Sequence, residues 1–369
     1  MLRKTLRVVL WAVAAIVALP VLVYLAALAI NWRDQRPSPE ALALAADEPA
    51  SKSVEDENNA YVYLLGFSAP RDADPATAGA ARAAWIRKLR SDPSLGIETD
   101  PGPNALPDHE QLFEPLRNVS CAIDGGMQCF DALNGARDTI ERVTAEQSWL
   151  IDRYRLLLSY VEWADITTGD IRSVYPEITG ILQGRRLYYL RAWLLAVAGD
   201  ADGVRTALDA DLELWRLSLR DSSTVLSKMI AEGRFREHLA WGTLILRRLP
   251  PEARAAAIPA SWRRPLTNEE RSMNRAFRGE WRFAQNSLRT MAGSGLTSVS
   301  PSGRGKSITL EQRISSALAT PFFKVQATLN DHAAALLRAE SLVDVPYAEL
   351  PAALVRAHEV VNDKPNGVI

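Results

Sequence analysis

The feature that most constrains this chain is an uninterrupted apolar run at residues 8–30, which contains 23 residues and no charged side chain. At about 1.5 Å per residue, a helix of this length extends about 34 Å. The hydrocarbon core of a bilayer is about 30 Å thick. The run therefore predicts an N-terminal transmembrane helix, with residues 1–30 forming a cytoplasmic tip and membrane anchor.

The residues around this run predict its orientation. Arg3, Lys4 and Arg7 precede it and no acidic residue does, so the positive-inside rule places the N-terminus in the cytoplasm. A cleavable signal peptide is the alternative, because residues 27–29 (Ala-Leu-Ala) have the composition of a cleavage site. Signal peptides have apolar regions of only about 7–15 residues, which favours a retained single-pass anchor. Either way, residues 31–369 are expected outside the cytoplasm.

The rest of the chain has the composition of a folded protein. Residues 31–57 carry several prolines and mixed charge, which is typical of a juxtamembrane linker, and residues 58–369 are expected to form the folded domain. Beyond residue 30 there are 40 basic and 44 acidic residues. This balance argues against a nucleic-acid partner, since such proteins usually present a strongly basic face.

Apolar residues at three- and four-residue spacing predict a helical domain, and almost no stretch alternates with period two. The pattern runs through residues 138–249, including Tyr160 and Val161. Gly199 predicts a helix end, and either Asp200 or Asp202 is predicted to cap the next helix. The fold class is therefore predicted to be all-α, an extracytoplasmic array of helical hairpins resembling a solenoid.

A weak internal repeat supports stacked helix pairs. Gly199 and Gly233 lie 34 residues apart in two alignable segments, and 34 residues is the period of tetratricopeptide units. The interval does not continue, because residue 267 is a threonine. We expect tetratricopeptide-like helical hairpins rather than a regular array.

Three segments carry a resemblance to a known group of proteins. They are ENNAYVYLLGF (residues 57–67), DLELWRLSLRDSSTVLSKMIA (residues 211–231) and PFFKVQATLN (residues 321–330). They resemble stretches of uncharacterised, single-pass, membrane-anchored proteins of Gram-negative bacteria. The resemblance implies an inner-membrane protein whose C-terminal domain lies in the periplasm. It implies no activity and no site residues.

The familiar signatures of catalysis are absent from the sequence. Residues 305–307 (Gly-Lys-Ser) match the end of a phosphate-binding loop, but residue 300 is a serine where that motif needs glycine. No G-x-S-x-G, S-x-x-K or H-E-x-x-H pattern occurs. We therefore predict no catalytic, cofactor-binding or metal-binding residues and no cofactor. The four histidines, which show no metal-ligand spacing, are His109, His238, His332 and His358.

Two carboxylates next to tryptophans suggest an alternative. Glycan-cleaving enzymes use an acid whose pKa is raised by an apolar wall. Glu162-Trp163 and Glu280-Trp281 have that composition. Adjacent helical residues point about 100° apart, however, which favours a buried tryptophan beside a solvated glutamate.

The main hypothesis is a non-enzymatic scaffold or protein-interaction module whose stacked helices bind another envelope protein or peptide. The alternative is a cell-envelope glycan hydrolase with a lone glutamate as its general acid. A deep cleft holding a buried carboxylate would favour the enzyme, and a shallow groove would favour the module.

The only two cysteines, Cys121 and Cys129, are predicted to form a disulfide. Both lie beyond the apolar run, and oxidising compartments allow such a bond to persist. Gly125 and Gly126 permit a tight reversal between them. Seven intervening residues are too many for a C-x-x-C redox motif. Two unrelated buried thiols are the alternative.

Overall fold

The computed structural model describes residues 2–46, 54–92, 95, 97–102, 114–116, 126–294 and 309–362, and within some helices not every side chain is described. The chain divides into two compact units. The terminal unit comprises Met1–Ala46 and Trp281–Ile369, and the central unit comprises Asp47–Glu280.

The described helices account for nearly all of the regular structure. In the central unit they are α3 (Ala60–Gly66), α4 (Pro75–Ser91), α5 (Gly126–Gly135), α6 (Arg137–Glu146), α7 (Ser148–Leu157), α8 (Ile178–Val197), α9 (Ala201–Asp221), α10 (Val225–Arg248), α11 (Pro251–Arg254) and α12 (Asn268–Arg271). The terminal unit contains α1 (Leu2–Ile30), α2 (Pro39–Ala45), α14 (Leu310–Ala319), α15 (Val325–Glu340) and α16 (Leu350–Asn362). Helix α13 (Asn274–Ser294) begins in the central unit and ends in the terminal unit.

The prediction of an all-α fold is confirmed. No strand occurs among the described residues, where Asn59 and Glu162 form one isolated β-bridge. Within the part of the chain that the structure describes, five short 3₁₀ turns supplement the helices: Asp56–Asn58, Ile97–Thr99, Glu114–Leu116, Ala260–Arg263 and Thr320–Phe322. Among the residues that the structure describes, no helix has both the length and the apolar character needed to cross a membrane.

Helices α8, α9 and α10 pack against one another and form the centre of the central unit. Their apolar positions lie in the buried core, where Trp193, Leu208 and Trp215 are almost fully enclosed. The predicted turn between α8 and α9 is confirmed. Gly199 has a φ of +76°, which glycine adopts without strain, and the Asp200 side chain accepts a hydrogen bond from the Gly203 N–H.

The 34-residue interval does not mark equivalent turns. Gly199 follows the C-terminus of α8, whereas Gly233 lies inside α10. The two alignable segments therefore occupy different positions within their helices, although α8, α9 and α10 do pack as consecutive neighbours.

The sequence Thr267-Asn268-Glu269-Glu270 predicts a capping box, which is present, but the helix behind it is shorter than the sequence pattern predicts. The sequence pattern predicts one helix to residue 291, whereas α12 ends at Arg271 and α13 begins at Asn274. Lys228 Nζ donates to the Glu270 carbonyl oxygen at 2.9 Å. That carbonyl is thus satisfied by a side chain, and the helix does not need to continue to satisfy it.

Residues 158–177 were predicted to continue the helical pattern, and this prediction is wrong. Helix α7 ends at Leu157, and a largely irregular segment follows. The Asn59 side chain holds this segment, because it donates to the Ala164 carbonyl oxygen at 2.9 Å and accepts from the Ala164 N–H at 3.0 Å. A long-range side chain thus supplies the hydrogen bonds that a helix would have made locally.

In the terminal unit, the segment after α1 is tied to α15. Asp34 accepts hydrogen bonds from the Gln326 and Ala327 N–H groups at 2.7 and 3.1 Å, which caps the N-terminus of α15. The Asn330 side chain accepts from the Ser38 N–H at 2.9 Å. The sequence predicts a helix from Pro321, but Pro321 lies in a 3₁₀ turn and α15 begins at Val325.

Candidate functional site

An open groove of about 520 Å³ lies on the central unit. One rim is the acidic turn before α3, one wall is apolar and aromatic, and the first half of α4 completes it. Its lining residues are Glu55, Asp56, Glu57, Val62, Tyr63, Ala76, Thr77, Ala80 and Tyr160. We call it the Tyr63–Tyr160 groove.

Two tyrosines form the aromatic wall of this groove. The rings of Tyr63 and Tyr160 have centroids 5.2 Å apart and are tilted by 41°. Tyr63 is fixed in place, because its hydroxyl donates to the Arg153 carbonyl oxygen at 3.1 Å. Tyr160 is only partly buried. Burial raises the pKa of Tyr160, and the nearby Asp74 carboxylate raises it further, so its hydroxyl stays protonated.

Three consecutive acidic residues form the rim. Asp56 is already paired, since it accepts hydrogen bonds from both terminal nitrogens of Arg87. Glu55 and Glu57 are exposed to solvent. The rim therefore offers carboxylates beside an aromatic wall, an arrangement that attracts a positively charged side chain with an apolar stem.

The loop beside the groove is fixed by one buried arginine. The Arg153 guanidinium donates to four carbonyl oxygens at 2.6–3.2 Å, those of Phe67, Ala69, Pro70 and Ala73. Arg153 thus fixes the connection between α3 and α4, the two helices that carry most of the groove.

Close approach of these two helices depends on glycine. A Cβ atom added to Gly79 would lie well under 3.0 Å from the Val62 carbonyl oxygen, and one added to Gly66 would meet the Pro75 carbonyl oxygen in the same way. Because Val62 lines the groove, the shape of the groove follows from this helix–helix contact.

A second polar cluster, centred on Asp211, lies inside the central unit. We call it the Asp211 cluster. Its carboxylate accepts hydrogen bonds from four side chains on α7, α8 and α10: Tyr154 at 2.6 Å, Arg185 at 2.9 and 3.0 Å, Tyr189 at 2.6 Å and His238 at 2.8 Å. Asp211 itself lies on α9, so the cluster connects four helices.

The hydrogen bonds of His238 define its tautomer. The indole Nε1 of Trp262 can only donate, and it lies 2.7 Å from His238 Nε2, so that nitrogen must accept. The proton of a neutral imidazole then resides on Nδ1 and is donated to Asp211. The His238–Asp211 contact is thus a hydrogen bond from a neutral ring, and Arg185 supplies the balancing positive charge.

The Asp211 cluster has the chemistry of an internal support rather than of an active site. Burial alone would raise the pKa of Asp211, but the charge of Arg185 and the hydrogen bond from His238 hold it well below its usual range. The side chains of Asp211, Arg185 and His238 are fully buried. No substrate reaches the carboxylate in this conformation.

The tryptophans next to Glu162 and Glu280 are core anchors. The Trp163 indole is buried, packs edge-on against Tyr61 with centroids 5.8 Å apart, and donates to Asp165 at 2.8 Å. Trp281 is buried within the terminal unit and donates to the Leu329 carbonyl oxygen at 3.4 Å. Neither indole ring lines the Tyr63–Tyr160 groove. The groove therefore does not place a tryptophan beside Glu162 or Glu280, as the hydrolase alternative requires.

Several residues named in the sequence analysis lie outside the part of the chain that the structure describes. Cys121, His109 and residues 305–307 lie outside the described residues. Cys129 is buried on α5, and the Cys121–Cys129 disulfide stays a prediction. Across the described residues, no group of three or more histidine, cysteine or acidic side chains is placed to hold a metal ion.

The sequence carried a partial signal for the Asp211 cluster. Asp211 lies on the same helical face as Leu208 and Trp215, three residues after the first and four before the second. A carboxylate on an apolar face indicates a buried partner. No comparable pattern in the sequence indicated the groove, because the helical spacing places Tyr160 in a helix, whereas α7 ends at Leu157.

Comparisons with known proteins give no relatives for this chain. No protein family, no curated protein and no solved structure matches it. The function must therefore be argued from its own residues.

Proposed function

We propose that this chain is a single-pass, membrane-anchored, α-helical interaction module of the periplasm that binds another envelope protein or peptide. The observation that carries the proposal is the Tyr63–Tyr160 groove. It is open, lined by aromatic and apolar groups, and bordered by exposed carboxylates. These features suit an extended segment better than a small reacting molecule, which binds in enclosed pockets.

The charges of the groove favour a basic segment as the occupant. Glu55 and Glu57 face solvent, whereas Asp56 is neutralised by Arg87. A lysine or arginine could place its charge between the two glutamates and its alkyl stem against Tyr160.

The membrane anchor is part of the same proposal and rests on the sequence. Residues 8–30 contain no charge, and Arg3, Lys4 and Arg7 precede them. Helix α1 covers this run, but several of its side chains, among them those of residues 6–9, 12 and 13, lie outside the described ones. In the described part, most apolar side chains of α1 are exposed.

Site-specific photo-crosslinking in the native membrane tests the groove. A photo-reactive amino acid at Glu57 should capture one envelope protein, and mass spectrometry should place the crosslink in a segment rich in lysine or arginine. The matched control is the same group at Glu232, which is exposed on α10 away from the groove. Equal capture at both positions, or a crosslink to an acidic segment, would contradict the proposal.

A topology measurement tests the anchor separately. An enzyme reporter active only outside the cytoplasm, fused after Ile369, should be active, and a reporter active only in the cytoplasm should be silent. Activity of the cytoplasmic reporter instead would contradict the proposed orientation and the periplasmic location, but it would not bear on the groove.

A further inference from the structure

Helix α14 leaves its large apolar side chains exposed, as it does most of its other described side chains. Leu310, Ile314 and Leu318 recur every fourth residue and are 74%, 52% and 50% exposed. Ser316, a polar residue, is 8% exposed and is the buried member among the described side chains of this helix. An apolar stripe that faces outward marks a surface made for a protein or lipid partner.

The position of α14 relative to α1 indicates which partner. The Tyr24 hydroxyl of α1 donates to the Leu318 carbonyl oxygen at 3.2 Å, and the Tyr24 ring packs edge-on against Phe322 with centroids 5.5 Å apart. Tyr24, Ala27 and Leu28 are the partly covered positions of this part of α1 and lie on one helical face. The C-terminal end of α14 thus lies beside the apolar run of α1.

A polar layer lies further along α1. Lys324 Nζ donates to the Asn31 carbonyl oxygen, and Asp34 caps α15. Trp32, in the same layer, is highly exposed, as expected of a tryptophan at a membrane interface. These polar groups mark the level at which the apolar run ends.

The depth of α14 follows from helix geometry. Tyr24 precedes Ile30, the last residue of the run, by six residues, or about 9 Å along the helix axis. Amphipathic helices that lie on membranes bury their apolar face about 5–10 Å into the boundary between headgroups and acyl chains. The contact at Tyr24 therefore places the end of α14 within the layer that such helices occupy.

We propose that α14 is a second membrane contact, which inserts Leu310, Ile314 and Leu318 into the outer leaflet beside α1. This inference rests on the proposed membrane anchor. The lipid surface is the occupant because α14 contacts α1 at a level where α1 itself is surrounded by acyl chains. With two contacts, the terminal unit is held against the bilayer rather than being tethered by one helix alone.

Depth-dependent fluorescence quenching tests the proposal in the full chain reconstituted in nanodiscs. Ile314→Cys and Ser315→Cys, labelled with the same environment-sensitive dye, form a matched pair, because both positions are exposed and adjacent but point about 100° apart. Leu22→Cys on α1 reports the anchor, and the unsubstituted chain supplies the labelling background. Lipids carrying a quencher on the acyl chain should quench Ile314→Cys several-fold more than Ser315→Cys and as strongly as Leu22→Cys.

The outcomes separate the two proposals. Strong quenching at Leu22 with none at Ile314 would overturn the insertion of α14 and leave the anchor standing. No quenching at either position would overturn the anchor and this inference together. Equal quenching at Ile314 and Ser315 would show that α14 does not insert one face of its helix, which would overturn the proposed insertion of Leu310, Ile314 and Leu318.

Discussion

The Asp211 cluster and the Tyr63–Tyr160 groove use the same kinds of side chain for different ends. In the cluster, one buried carboxylate accepts hydrogen bonds from two tyrosines, an arginine and a neutral histidine. In the groove, two tyrosines lie beside carboxylates, and Glu55 and Glu57 face solvent. The comparison shows that the fold supplies partners for the polar groups of the cluster but leaves two carboxylates of the groove exposed to solvent.

Breaking the cluster should have the largest effect on stability. Asp211→Asn keeps the shape of the side chain but leaves Arg185 with only the partly exposed Glu237 as a counter-charge. Removing one partner of a buried ion pair costs about 3–5 kcal/mol. Urea denaturation of the central helices should show this loss, whereas the exposed Asp152→Asn, which removes a surface pair with Arg155, should change stability by less than about 1 kcal/mol. A similar small change for both variants would mean that the cluster is not a support.

The same cluster predicts how stability depends on pH. The pKa of Asp211 is lowered in the folded state, whereas an aspartate in the unfolded chain has a pKa of about 3.9. The unfolded state therefore binds a proton first as the pH falls, and the contribution of Asp211 is lost progressively below about pH 4–5. The stability difference between the natural chain and Asp211→Asn should shrink between about pH 5 and pH 3. A difference that stays constant would contradict the ionised state of Asp211.

How far the sequence predicted these two regions depended on the range of their contacts. Local signals agree with the structure: Asp74, directly before Pro75, caps α4, Asp200 and Thr267 cap α9 and α12, and Gly199 has the left-handed conformation. These depend on hydrogen bonds within a few residues, which spacing alone reveals.

Long-range contacts were not predictable in the same way. The groove depends on Tyr160, which lies beyond the end of α7 in the segment that Asn59, about a hundred residues earlier, holds at Ala164. Likewise, α12 ends early because Lys228 on another helix satisfies the Glu270 carbonyl oxygen. No local pattern in either segment encodes its distant partner, so the candidate site was missed although the fold class was correct.

The wall of the groove can be altered without touching its charges. Gly79→Ala places a Cβ atom against the Val62 carbonyl oxygen, so α3 and α4 must separate. Such overpacking costs about 1–3 kcal/mol, less than loss of the buried charge. Gly233→Ala is the control, because nothing lies within 4 Å of its added Cβ and alanine favours the helix by roughly 0.5–1 kcal/mol. The midpoint temperature of thermal unfolding should fall for Gly79→Ala and rise for Gly233→Ala. A change in the same direction for both variants would contradict the close contact between α3 and α4.

The smallest effect should come from the rim and should concern binding alone. The double variant Glu55→Gln, Glu57→Gln removes two exposed charges that support no buried structure, so unfolding should change by less than about 1 kcal/mol. Binding of a labelled peptide of alternating lysine and leucine to the full chain in detergent should weaken by about two- to thirtyfold at low salt, since each of the two exposed charge pairs contributes about 0.2–1 kcal/mol.

Salt distinguishes this electrostatic contribution from simple apolar adhesion. At about 1 M salt the Debye length falls to about 3 Å, so the natural chain and the double variant should bind the peptide equally. Tyr160→Ala should weaken binding at both salt concentrations, because its ring contributes contact area that salt does not screen. Glu232→Gln, on the exposed face of α10, should leave binding unchanged at either concentration. If the Glu55→Gln, Glu57→Gln variant binds the peptide as tightly as the natural chain at low salt, the carboxylates do not select a basic partner. The difference between a cluster whose hydrogen bonds are all internal and a groove with exposed carboxylates would then not explain binding.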